Sequence, residues 1–541
     1  MARWFVDRLA QRGIPSVSLR RLLPEAQFVG CADWEVSGCT DDHRRLDPGQ
    51  VFVAVRGARP CYDGHAFVRA ALDRGAAGVV VEQPCPEAGR LQVIVPDAMA
   101  AHARICQALA GDPSQQLLTL GVTGSFGKTV TALMVRSILE AAGRRTGLIG
   151  ALGFFHGTKA RALGAGFSEG WQSGIAAGRW TGIAAGRGPG AFAPGPACLA
   201  ALMAELVEDG GQAGILEVSS EAMEQRRFEG VVFHAAVVTD VGAPSGFPAE
   251  VVVQQRRALS RLFRQVLPGG VTIVNADDPN AEILGAVNLD ARRIAFAMEP
   301  ARRPSLAVDV SARLARLDGS GTRMILRGFD REAPVHLPLV GPRAAACALA
   351  AATVAWALEI DRAAVIAGLE SVQSVAGHLE AVVAGQDFEV RIDAAATPTA
   401  LEEALAAVRA VAAGQVHCLV SAEGCGDRLE RRRLAEVAEA GADRIILTVS
   451  NPRTEDPNQI LDDLLAGFRR PGKVRVEPDR RHAIELALSD ARTGDTVLIT
   501  GKGRRTYEIL ADRVVPFDDA ELARRWLEHQ ARTAAPAQRS A

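Results

Sequence analysis

The chain reads as an α/β protein of three domains, built around a central P-loop doubly wound sheet and closed by a C-terminal Rossmann-like domain. Three observations carry that reading. At 541 residues, 48% of them hydrophobic and 23% charged, the chain is too long for a single core. Short apolar runs alternate with helical patterns along most of its length, the pattern of βα units in parallel sheets. A Gly-rich turn at residues 121–129 joins an apolar strand to a helix.

The elements follow in order. Residues 1–112 mix short strands, at 51–55 and 79–81, with a helical pattern at 65–74, and read as a small α/β domain. The central domain spans 113–338, opening with a strand at 117–122, the Gly-rich turn and a helix at 129–142. Further strands are expected at 213–218, 235–239 and 271–275. A Gly/Ala-rich insert at 164–196 repeats Gly-Ile-Ala-Ala-Gly-Arg, beginning at Gly174 and again at Gly182, and reads as a duplicated surface loop. From about Gly341 the pattern restarts with long Ala/Leu helices, so the third domain is placed at 339–530, with strands at 416–420, 445–448 and 496–499. Residues 531–541 read as a frayed tail.

Composition narrows the function. A formal net charge of −2 leaves no electrostatic footprint for nucleic acid and no polybasic patch for a membrane. No apolar run is long enough to span a bilayer, so no membrane insertion is expected. Nine cysteines, none in a Cys-x-x-Cys pair, and a charged start, Met-Ala-Arg-Trp-Phe-Val-Asp-Arg, point to reduced thiols and a cytoplasmic protein. The basic residues are nearly all Arg; the lysines are Lys128, Lys159, Lys473 and Lys502. In such a chain a Lys marks a place where a compact ammonium is wanted.

The strongest local motif is Gly121-Val-Thr-Gly124-Ser125-Phe-Gly127-Lys128-Thr129. Backbone N–H groups of such a loop cradle phosphates, the Lys reaches the terminal phosphates and the Thr hydroxyl ligates Mg²⁺. Its first Gly falls one position early for the strict Walker spacing. The bland alternative is a Gly-rich turn opening a helix. Glu217, at the end of a later strand, is the candidate second oxygen ligand for Mg²⁺, against a plain exposed strand-end carboxylate. Three loops in the last third also follow strands, where open α/β sheets place ligands: Gly424 to Arg428, Ser450 to Pro457 and Gly501-Lys502-Gly503. There Arg453 is suited to clamp a carboxylate, while structural turns are the alternative.

Together, Gly-Val-Thr-Gly-Ser-Phe-Gly-Lys-Thr, Glu217-Val-Ser-Ser, Asn275-Ala-Asp-Asp278-Pro, Asn451-Pro-Arg453-x-Glu455-Asp456-Pro and Gly501-Lys502-Gly resemble, in text and order, the Mur ligases of the MurE type. Asp42-His-Arg44, Pro48-Gly-Gln-Val-Phe52 and Asp63-Gly-His-x-Phe67 look like that family's UDP-substrate domain, so the similarity runs from about residue 20 to about 528. The resemblance implies an N-terminal domain gripping a uridine nucleotide, a central ATPase and a C-terminal domain bringing an amino acid. ATP, with Mg²⁺, would phosphorylate a carboxylate of a UDP-muramoyl peptide, and the incoming amine would attack the acyl phosphate. Lys128 and Glu217 would be catalytic, with Thr129 and Glu217 on the metal. Gly124, Ser125, Gly127, Lys128, Thr129, Asn275 and Asp278 would bind ATP. Arg44, Asn451, Arg453, Glu455, Asp456 and Lys502 would bind substrates, Arg453 holding a carboxylate of meso-diaminopimelate.

Departures from the family pattern fall on the chemistry. Phe126 replaces Asn, Glu221 replaces a His, and Pro244 and Ser245 replace an Asp-His pair. The family lysine that is carbamylated to help hold a second Mg²⁺ is Leu259, and no lysine lies between Lys159 and Lys473. His378 replaces a nucleotide-contacting Arg, Ala394-Ala-Ala stands for Tyr-Ala-His, and Gly-Lys-Gly-His-Glu ends in Arg504-Arg505. The substrate-binding Thr-Thr-Pro-Asp is absent, the nearest text being Ala193-Pro-Gly-Pro-Ala197, while Arg432 keeps the charge of a family Lys. Two functions therefore stand side by side: a working ligase with a rebuilt site, and a non-catalytic paralogue that binds nucleotide or muramoyl peptide and acts by association with other cell-wall enzymes. A third, an amide ligase of the folylpolyglutamate or cyanophycin synthetase kind, fits the N-terminal domain and the Asn-Pro-Arg loop less well.

Overall fold

The computed structural model describes residues 16–56, 63–157, 159–161, 194–241, 249–280, 287–288, 290–300 and 306–534. Residues 164–193 of the insert expected at 164–196, and the positions of Pro244 and Ser245, lie outside them, while the insert's expected end, Pro196, opens helix Pro196–Glu208.

The N-terminal domain is a five-stranded sheet in the order Gln27–Val29, Gln92–Ile94, Gly78–Val81, Val51–Val53, Cys39–Thr40, parallel except for its first pair. Val51 and Val53 face one apolar cluster and Phe52 the other, so both faces are covered and the strand is apolar at every position. The helix Ala98–Leu109, capped by the Asp97 carboxylate on the Ala100 N–H, lays Ala98, Ala101, Ile105 and Leu109 on the first cluster.

The central sheet has eleven strands. The strand before the phosphate loop, Leu118–Thr123, lies between Ala213–Glu217 and Phe233–Val238, and all three run parallel. Successive connections leave Leu118–Thr123 in opposite directions, which opens a crevice at its carboxyl end. Register finishes the placement: Glu217 pairs with Val122 and Val238 with Thr123, so the residues ending the three strands meet at one level. Beyond Val266–Asn275 the sheet continues through Arg292–Glu299, Val310–Asp318, Gly321–Arg327 and Ala333–Leu337, strands that the sequence pattern left unassigned.

The third sheet has six strands in the order Glu380–Ala381, Glu389–Ile392, Thr496–Ile499, Val416–Ala422, Arg444–Val449, Val474–Val476, parallel after the first pair. Two helices follow the expected boundary near residue 339. Pro342–Ala357 and Arg362–Ser371 pack on the phosphate-loop helix Lys128–Ala141 and share its apolar cluster, and the third sheet begins only at Glu380. Close approach explains the docking: a Cβ on Gly368 would sit 2.4 Å from Ile138 Cα. At the other end, helix Asp519–Ala534 carries residues 531–534, which the sequence reading put in the frayed tail. Among the described residues no helix is long and apolar enough to cross a membrane.

Candidate functional site

The phosphate loop takes the shape its glycines permit. Gly127 caps helix Lys128–Ala141 at φ 75°, and Gly124 has φ 139°, where a Cβ would lie 2.1 Å from Thr239 Oγ1. Lys128 Nζ donates to the carbonyls of Gly124 (2.8 Å) and Ser125 (3.4 Å), so the ammonium lies over the loop. The next helical position, about 100° around the axis, turns Thr129 toward strand Ala213–Glu217, and its hydroxyl donates to Glu217 Oε1 at 2.8 Å. The other Glu217 oxygen accepts the Ala151 N–H at 2.8 Å, and Thr129 and Glu217 are 8% and 6% exposed. The bland reading of Glu217 as a solvated strand end therefore does not hold. Two hard oxygen donors, buried together behind a phosphate loop, fit a Mg²⁺ that keeps its other positions for phosphates and water.

The position of the family's carbamylated lysine offers no oxygen donor. Leu259, on helix Ala249–Arg264, is 2% exposed among Leu216, Val238, Leu262 and Phe263 of one apolar cluster. A residue sequence reasoning did not single out sits nearer the loop. The Asp240 carboxylate accepts the N–H groups of Ser125 (2.8 Å) and Phe126 (3.0 Å), donors of the kind that receive phosphates. Burial pushes the Asp240 carboxyl above its ordinary value, against the two amides and the charges of Arg343 and Lys128. Phe126 serves Arg343, whose guanidinium lies 4.4 Å over its ring. Asn275 and Asp278 act one step back. Asn275 Nδ2 donates to Thr239 O at 2.9 Å, and Asp278 accepts the Val241 N–H and the Asn280 amide, so the two brace the segment that carries Asp240.

The predicted residues of the third domain separate into two groups. Asn451 and Arg453, both at positive φ (47° and 59°), turn toward Glu423, the residue after strand Val416–Ala422. Arg453 Nη2 lies 3.0 Å from Glu423 Oε2, Asn451 Nδ2 donates to Oε1 at 3.2 Å, and Arg505 bonds the same oxygen. Burial pushes Glu423 up, but Arg505 and Arg453 outweigh it and hold the carboxyl below its usual value. The other three, expected on the substrate, are engaged inside the domain. Both Glu455 oxygens take the Arg431 guanidinium (2.7 and 2.8 Å), Asp456 caps helix Pro457–Leu465 through the Asn458 N–H, and Lys502 Nζ donates to Tyr507 O at 2.7 Å. Lys502 is 1% exposed with its ammonium 4.4 Å over the Phe517 ring, and burial pulls its pKa down to about 8. Its scarcity marked a positioned ammonium, but one that holds the loop. In the N-terminal domain Arg44 reaches back to Asp42 through two 2.9 Å bonds and stays largely exposed.

Arg504 lies in the loop after strand Thr496–Ile499. Its N–H lies where a Cβ on Gly377 would come within 2.5 Å, and its side chain is half-buried. Burial lowers its pKa, and Glu217 of the central domain is the first charge that raises it again. A guanidinium of the third domain thus stands within electrostatic reach of the Thr129–Glu217 pair.

Comparison with known proteins agrees with this layout. A family profile described as "Mur ligase middle domain" matches residues 122–355, and one described as "Mur ligase, glutamate ligase domain" matches 379–503. A protein of Bacillus licheniformis named UDP-N-acetylmuramoyl-L-alanyl-D-glutamate--2,6-diaminopimelate ligase is 31% identical over 92% of this chain and 96% of its own. The UDP-N-acetylmuramyl-tripeptide synthetase of a Roseiflexus species is 34% identical over 91% and 94%. A solved structure of a UDP-N-acetylmuramoyl-L-alanyl-D-glutamate--2,6-diaminopimelate ligase superposes with a TM-score of 0.63 at 22% identity, covering 95% of this chain and 99% of that one.

Proposed function

The chain belongs to the Mur ligase family, in its MurE branch, and from that premise we propose that it is an ATP-dependent ligase that joins an amino acid to a UDP-muramoyl peptide. The observation that carries the reading is the 2.8 Å Thr129–Glu217 hydrogen bond behind the phosphate loop. Bound there by Thr129 and Glu217, Mg²⁺ would supply positive charge to the phosphates. The loop amides and Lys128 hold the triphosphate, and the peptide carboxylate attacks the γ-phosphorus, releasing ADP and leaving an acyl phosphate. The amine of the incoming amino acid then displaces phosphate to form the amide. Little of this is covalent work for the protein: it positions two substrates and neutralises charge. Arg504, within electrostatic reach of Glu217, brings to that work a positive charge from the third domain.

Arg453 and Asn451 are the residues proposed to take a carboxylate of the acceptor, which the names of the relatives suggest is 2,6-diaminopimelate. Arg453→Ala is expected to raise the acceptor KM by roughly 10²-fold with little change in the KM for ATP, and Arg453→Lys not to restore it. Steady-state kinetics with each substrate varied in turn checks this.

Asp240 sets a pH dependence. Its ionised carboxylate faces the amides that receive phosphate and disfavours a second anion; protonation removes that charge. Because its pKa is raised, protonation begins above the ordinary carboxyl range, so ATP affinity should rise as pH falls into that window. Asp240→Asn should bind ATP about tenfold more tightly at neutral pH, about 1.4 kcal/mol, and lose that part of the pH dependence. Calorimetric titration of both proteins across pH reads the difference.

A second reading, a nucleotide-binding paralogue without turnover, is favoured by one specific observation: Leu259 stands in an apolar cluster in place of the second-metal ligand. Phosphate release in the presence of ATP, Mg²⁺, UDP-N-acetylmuramoyl-L-Ala-D-Glu and meso-diaminopimelate separates the two.

A further inference from the structure

We propose that Cys39, His102 and Cys106 form a zinc site in the N-terminal domain, with the Asp41 carboxylate closing the fourth position. It lies apart from the phosphate loop and from the Arg453 cluster and takes no part in the ligation chemistry above.

His102 and Cys106 are four residues apart on helix Ala98–Leu109, so they project from one face of it. Cys39 comes from the edge strand Cys39–Thr40, which that helix covers. One ligand atom from each of the three residues lies within 4.8 Å of the other two. The two sulfurs are 3.7 Å apart. Two thiolates at about 2.3 Å from a tetrahedral ion are separated by about 3.8 Å, whereas a disulfide requires about 2.05 Å. The pair is therefore set at the spacing of ligands to a common ion.

A second observation concerns the imidazole. His102 is 1% exposed, and its ring nitrogens find only the Cys39 sulfur and the Asp41 carboxylate near them, neither at full hydrogen-bond geometry. A buried imidazole without a well-formed hydrogen bond is costly, and an ion on one nitrogen removes that cost. Asp41 Oδ2 lies 3.9 Å from His102 Nδ1, outside the three-residue cluster, and its side chain is 47% exposed, so it can swing in from the open side, where an ion enters. Two sulfurs, an imidazole and one carboxylate suit Zn²⁺, and do not suit Mg²⁺ or Ca²⁺.

The site also has a use. Cys39–Thr40 is a two-residue edge strand, and the turn His43–Arg45, with Arg44, follows at once. An ion joining that strand to the helix would hold the start of the proposed nucleotide-binding turn on the domain core.

The test uses the full chain expressed in zinc-supplemented medium, with metal content measured by mass spectrometry after gel filtration. The expected result is about one zinc per chain, falling to below roughly 0.1 in Cys39→Ala and His102→Ala and unchanged in Cys31→Ser, a control at an exposed cysteine. Because a variant at a buried residue can fail to fold, the wild-type protein supplies an independent readout. After exchange into Co²⁺ it should show the visible bands of a tetrahedral ion and thiolate charge transfer in the near ultraviolet. Zinc absent from the wild type, zinc retained in both ligand variants, or a count of seven free thiols in denaturant instead of the nine in the sequence would each overturn the proposal. The last would mean a Cys39–Cys106 disulfide.

Discussion

Lys128→Met is expected to lower substrate-dependent phosphate release at least 10²–10³-fold, while the protein still folds. The ammonium's hydrogen bonds run to loop carbonyls, and the buried Asp240 carboxylate, which also feels its charge, keeps two amides and Arg343, so the loop keeps its shape through Gly124, Gly127 and Asp240. What is lost is the compact charge that neutralises the phosphates as they transfer. Glu217→Gln should cost a similar factor by weakening the metal, and the double variant should lose much less than the product of the two, because both act on one charge distribution. Single-turnover phosphate release and thermal melts of the three variants check both halves of the expectation.

Arg431→Ala is expected to destabilise the third domain by about 3–5 kcal/mol. Arg431 is 2% exposed and bonds both Glu455 oxygens, Asp463 Oδ2 at 2.9 Å and Glu423 O at 2.8 Å. Truncating it takes the guanidinium from two carboxylates and a carbonyl, leaving Glu455 with the Cys425 N–H and Asp463 with the Gln459 amide. Its hydrogen bonds hold Glu455 down to about 2, below the 4.5 of an unperturbed Glu. A depressed folded-state value means that this stabilisation is full above about pH 4.5 and fades as pH falls toward 2. Urea unfolding at neutral and acid pH should therefore show the gap between wild type and Arg431→Ala narrowing in acid. Replacing Arg431, Glu455 and Asp463 together by Leu should cost far less than the single change, since it leaves no charge behind.

The central site was legible because its residues follow local rules. A Gly-rich turn between an apolar strand and a helix specifies the loop and places Lys128 and Thr129. Glu217 is found by a second rule, that ligands gather at carboxyl ends of parallel strands, and the Glu217–Val122 register brings it to Thr129 across 88 residues of sequence. The same rule, applied to every strand, would have raised Asp240 and Glu423, each within two residues of a strand end.

What stayed hidden depends on tertiary partners. Arg431 lies in the run Arg-Leu-Glu-Arg-Arg-Arg, which reads as a solvated helix face; only folding shows that one of these guanidiniums is buried against Glu455 and Asp463. Lys502 was singled out for its rarity, but rarity does not say whether an ammonium faces a ligand or a backbone carbonyl. Helix Pro342–Ala357 is Ala-rich and buried nearly all round, so it has no polar face to show which core it joins. Its assignment to the third domain rested on order along the chain, and its packing places it on the central one.

The most direct test of the account is one reaction followed by two readouts: phosphate release and mass of the muramoyl product, with ATP, Mg²⁺, UDP-N-acetylmuramoyl-L-Ala-D-Glu and meso-diaminopimelate all present, and with each omitted in turn. The account predicts phosphate release that requires all four components and matches amide product one for one. Tight ATP binding with no phosphate release beyond background would contradict it and leave the nucleotide-binding paralogue as the reading of this fold.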